Sequence, residues 1–110
     1  MHDGTLSPTW RDAGVRDGFT LAAVGDLVLD DALAPLLEAR SPRMLHLLRS
    51  ADVTFGNFES TAVDPATFDG WPEAESGGSW LISTLRVPAD LRRIGFDMVA
   101  RANNHTTDRG

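Results

Sequence analysis

Residues 19–110 are expected to form an α/β chain of parallel strands joined by helical crossovers. Three observations lead there. Apolar runs of strand length recur at 19–24, 52–56 and 96–100, each bounded by glycine or polar residues. The stretches between them carry helix starts marked by proline, with leucines at helical spacing. The order is strand, helices, strand, irregular excursion, helix, strand, the alternation that builds a parallel sheet.

Each element has its own justification. Residues 1–18 are polar, hold Gly4, Gly14 and Gly18, lack periodicity, and read as a loose N-terminal arm. Phe19 to Val24 fits a strand buried on both faces, ending at Gly25-Asp26. Asp30 or Asp31 is expected to cap a helix with Leu33, Leu36 and Leu37 on one side, and Pro35 must fall in its first turn. Ser41-Pro42 starts a second helix, with Met44, Leu45, Leu47 and Leu48 inward. Asp52 to Gly56 is the second strand and leads into Asn57-Phe58-Glu59-Ser60.

From Thr61 to Ser83 the pattern weakens. Pro65, Gly70, Pro72, Gly77 and Gly78 interrupt it, and Trp71 and Trp80 read as packing under a long loop. Pro88 opens a third helix with Leu91 and Ile94 inward, and Gly95 closes it. Phe96 to Ala100 is the third strand, and Asn103-Asn104-His105 follows its end.

Bulk properties narrow the function. The 110 residues carry a formal charge of -6, and no basic stripe marks a nucleic-acid surface. There is no cysteine, which excludes disulfides and thiolate chemistry. No segment has the length of a membrane span or of a signal-peptide core, so a cytoplasmic location is expected. A small-molecule, polymer or peptide substrate is the expected partner. An acidic chain that handles phosphate needs bound cations to reverse the local field.

If the three strands are parallel neighbours, Asp26, Glu59 and Asn104 meet on one rim, where such sheets place ligands. Their oxygens suit a divalent cation, and His105 beside them can give a proton to a leaving oxygen. Asp108 can orient that imidazole. Plainer readings stand beside these. Asp26 could cap a turn, Glu59 could be a solvated carboxylate, and Asn103 could satisfy backbone groups in its turn. Arg101 could reach an anionic substrate or form a surface ion pair. His46 reads as helix surface, His2 as tail, Glu73 and Glu75 as a wet loop, and Asp97 lies at the far end of its strand.

Val24-Gly25-Asp26, Ala51 to Ser60, Gly95 to Val99 and Ala102 to Thr106 with Asp108-Arg109-Gly110 together resemble the CapA family of capsule and poly-γ-glutamate biosynthesis proteins, in the calcineurin-like metallophosphatase superfamily. The resemblance covers about residues 19 to 110. It implies the N-terminal portion of an α/β/β/α sandwich of a few hundred residues, cut at the C-terminus. It implies divalent metal (Mn, Mg, Fe or Zn) held by Asp26, by Glu59 at a bridging position and by Asn104, with His105 as proton donor and Asp108 behind it. The implied activity is a metal-dependent phosphoesterase-type hydrolase. The superfamily's first motif has a histidine two residues after its aspartate, where this chain has Val28; CapA-like proteins often lack that histidine too. The later histidine motifs are absent from these 110 residues. Two alternatives therefore stand: a metal-independent acid/base enzyme acting on a peptide, such as an epimerase, or an inactive fragment.

Overall fold

The computed structural model describes residues 14–70 and 81–108. The expectations for His2, Trp71, Pro72, Glu73, Glu75, Gly77, Gly78, Trp80, Arg109 and Gly110 lie outside that set. The elements run β1 (Leu21–Leu27), α1 (Ala34–Arg40), α2 (Pro42–Ser50), β2 (Val53–Phe58), β3 (Thr61–Ala62), β4 (Ile82–Ser83), α3 (Val87–Ile94) and β5 (Met98–Ala100). The main sheet is parallel throughout, in the order β1-β2-β5, so β2 is its centre. The α/β class with parallel strands and intervening helices is thus observed.

The helices pack on one face of this sheet. Ala34 and Leu37 of α1, Leu45 and Leu48 of α2, and Val87, Leu91 and Ile94 of α3 bury against Phe58, with Val24 and Leu27 alongside. β1 departs from the expected two-sided burial. Its residues alternate, and Leu21 is 61% exposed, because the strand lies at the sheet margin and, among the described residues, helices cover one side only. Leu36, Met44 and Leu47, expected inward, are exposed. On α2 the inward line is Leu45 and Leu48, three residues apart. At about 100° per residue Leu47 falls on the far side and Met44 on the margin.

Helix starts differ from the expectation in an instructive way. Pro35 does lie in the first turn of α1, but neither Asp30 nor Asp31 caps that helix. Those carboxylates instead accept from the next backbone N–H, Asp31 and Ala32 respectively. The α1 start is capped from α3: Asp90 Oδ2 accepts from the amides of Leu33 at 2.6 Å and Ala34 at 2.9 Å. Two of the donors that every helix leaves unpaired are satisfied by a residue far along the chain. Ser41 occupies the cap position of α2 without a side-chain bond.

Gly95 ends α3 at φ 121°, where its N–H and that of Phe96 return to Leu91 O. A Cβ there would meet Arg49 Cγ at 2.9 Å, so close helix packing and backbone conformation both require glycine. β5 begins two residues later than expected. Asp97 closes its start by accepting from Thr54 N at 2.8 Å. The excursion from Thr61 to Ser83, expected to lack regular structure, is closed by parallel pairing of β3 with β4. Two-residue strands are too short to leave a periodic signal.

Candidate functional site

The site is made by an irregularity in β1. Leu21, Ala22 and Ala23 pair with Val53, Thr54 and Phe55, and then the register shifts so that Asp26 pairs with Asn57 and Leu27 with Phe58. Val24 and Gly25 therefore face a single residue, Gly56. Without this bulge Gly25 would oppose Asn57, and Asp26 would point with Phe58 into the helix-covered core. One inserted residue exchanges the two faces of a strand. The bulge sends Asp26 to the rim and Leu27 to the core. Gly56 makes it possible, since Val24 and Leu27 close over it and leave no room for a Cβ.

The three strand ends then meet. Asn57 Nδ2 donates to Asp26 Oδ1 at 2.8 Å. Glu59 lies two residues beyond Asn57 on the same side, close enough for its carboxyl to interact with Asp26 and His105. Partial burial pushes the Glu59 carboxyl above its ordinary proton affinity, the Asp26 contact and charge push the same way, and nearby His105 opposes them. Two carboxyls placed close together favour taking up a proton or a cation.

After β5 the chain turns at Asn103 to Asp108. Asn103 Nδ2 donates to Asn57 Oδ1 and to Phe58 O, each at 3.0 Å. Asn103 Oδ1 accepts from His105 N at 3.1 Å. Thr61 Oγ1 donates to His105 O at 2.9 Å. The His105 ring is buried with Nδ1 2.7 Å from Asp108 Oδ2, which also accepts from Leu81 N at 3.3 Å. Asp108 is fully buried, and its Oδ1 has no partner among the described residues. Asn104 is exposed on the same turn.

Asp26, Glu59, His105 and Asp108 are thus brought to one rim, with Asn104 on the adjoining turn. Asp26 and Glu59 supply oxygen donors of the kind hard divalent cations take. Among the described residues, no group of three or more His, Asp or Glu side chains could by itself hold a metal ion. Asn103 does satisfy the turn, but it also bridges to β2. Arg101 forms neither an ion pair among the described residues nor a solvent-facing arm: it donates to Ser60 O and lies 5.1 Å over the Phe58 ring. Asn57 carries no role in the sequence reading. The signal was available, because Asn57 and Glu59 sit two apart and strand alternation puts both on one face.

Comparison with known proteins gives the context. Residues 20–110 match the family model described as bacterial capsule synthesis protein PGA_cap. The chain is similar to two uncharacterized proteins of Sinorhizobium fredii strain NGR234. It is 43% identical to y4uA and 42% identical to y4sH, in each case over 99% of this chain and 24% of the relative. The chain therefore spans about a quarter of the length of the curated relatives it matches.

Proposed function

This chain belongs to the PGA_cap family of bacterial capsule synthesis proteins, and on that premise we propose that it supplies the first part of a metal-dependent centre hydrolysing phosphoester-type bonds in the service of capsule or poly-γ-glutamate synthesis. The observation that supports this reading is the turning of Asp26 to the rim by the β1 bulge, where it meets Asn57 beside Glu59, together with the buried His105–Asp108 pair. Asp26, Glu59 and Asn104 would hold the divalent ion. When bound, such an ion polarises a phosphoryl oxygen and acidifies a water.

The chain's own residues do the rest. Ionised Asp108 can only accept, so it requires a proton on His105 Nδ1 and fixes the orientation of the ring. That leaves Nε2 as the nitrogen that exchanges a proton with the departing oxygen. Thr61 and Asn103 hold the backbone of His105, so the ring does not drift from the carboxyl pair. The test is phosphoesterase activity of the whole protein with Mn²⁺, compared with Asp26→Ala and His105→Ala. Loss in both is expected, and activity untouched by both overturns the reading.

A second reading rests on the same arrangement. A carboxyl pair with an adjacent imidazole can also move protons without a cation, for example at the α-carbon of a peptide. Tightly bound stoichiometric metal in the purified whole protein counts against it. Solvent deuterium entering a peptide substrate counts for it.

A further inference from the structure

We propose that Asn57 and Asn103 are positioning residues: two side-chain amides in series that join the Asp26 carboxyl to the backbone of His105 and hold the rim as one unit. This rests on the reading that Asp26 and His105 act together. The relay runs from Asp26 Oδ1 to Asn57 Nδ2 at 2.8 Å, from Asn57 Oδ1 to Asn103 Nδ2 at 3.0 Å, and from Asn103 Oδ1 to His105 N at 3.1 Å.

Its polarity is fixed at the turn. The Phe58 carbonyl only accepts and the His105 N–H only donates, so Asn103 has one permitted orientation, and its Nδ2 requires the oxygen of Asn57 to face it. Asn103 uses its second amide hydrogen on Phe58 O at 3.0 Å, which anchors the turn to the central strand. Ladder bonds already pair β1 with β2 and β2 with β5. What the relay adds is a fixed carboxyl plane at Asp26 and a fixed loop at His105. Aspartate at 57 would set a second carboxylate against Asp26, and aspartate at 103 would lack both donors.

Hydrogen–deuterium exchange on the whole protein tests this. Asn57→Ala should speed exchange of the amides at 103–108 roughly tenfold, the loss of one such bond, while amides of α2 keep their protection. Thr20→Val is the control. It removes the Thr20–Asp52 hydroxyl bonds at the opposite end of the same strand pair and should leave 103–108 unchanged. Unaltered exchange at 103–108 in Asn57→Ala, or equal acceleration in α2, overturns the relay. Where Asn57→Ala does not fold, Asn57→Leu, closer in size, gives the same comparison. Mn²⁺ titration separates this proposal from the metal reading. Roughly tenfold weaker binding in Asn57→Ala supports both, whereas a wild type that binds no Mn²⁺ overturns the metal reading and leaves exchange to decide the relay.

Discussion

Replacing Gly56 by alanine tests the bulge that places Asp26. A Cβ at 56 would lie 2.7 Å from Leu27 Cδ1, 3.0 Å from Val24 Cγ2 and 3.1 Å from Leu27 Cγ. Carbon atoms prefer about 3.5–4.0 Å, so three contacts overlap at once. The Leu27 tip can rotate away, but moving its Cγ or the Val24 branch takes a χ1 change that disturbs their packing against the core. Leu27 is pinned by pairing with Phe58 and by accepting from Glu59 N at 3.2 Å. Overpacking of this kind costs about 1–3 kcal/mol, and the displacement falls next to Asp26. Gly25 is the internal control. A Cβ there meets nothing within 4 Å and its φ lies outside the left-handed region. Gly25→Ala should therefore be neutral or gain about 0.4–1 kcal/mol through the unfolded chain. Equilibrium urea unfolding of the whole protein, compared at equal m values, reads both. A neutral Gly56→Ala, or a Gly25→Ala just as costly, refutes the assignment of the bulge to steric demand.

Two further outcomes follow from the packing. Asp90→Ala leaves two amides at the α1 start unpaired, one of them buried, and should cost about 3 kcal/mol in the same assay. Asp90→Asn keeps an acceptor oxygen and should cost about half as much. The N–H and hydroxyl of Thr20, with the Arg16 guanidinium behind them, hold the Asp52 carboxyl below its ordinary value. The unfolded chain then takes up the proton first. The stability this adds is present above the unfolded pKa and is withdrawn below about pH 4. Asp52→Asn should flatten that part of the pH–stability curve, and an unchanged acid limb would contradict it.

The alternation of elements was legible because apolar runs and proline-marked helix starts are local properties. So were the candidate site residues Asp26, Glu59 and His105, since polar groups just past strand ends are visible without knowing the sheet order. Which leucines face inward was less legible. In short helices a turn of about 100° per residue separates Leu45 from Leu47, and the sequence does not say where the sheet lies.

What the chain determined by itself was composition, periodicity and the three polar strand ends. Tertiary structure decided the rest. The β1–β2 register, one residue out of step at Val24 and Gly25, turns Asp26 from core to rim. The cap of α1 comes from Asp90, and the amides of Asn57 and Asn103 find each other across β2 and the turn after β5. Each depends on which distant residues come to lie a few ångströms apart. Such pairings are set by packing and strand register, and leave no spacing signal in the sequence to read.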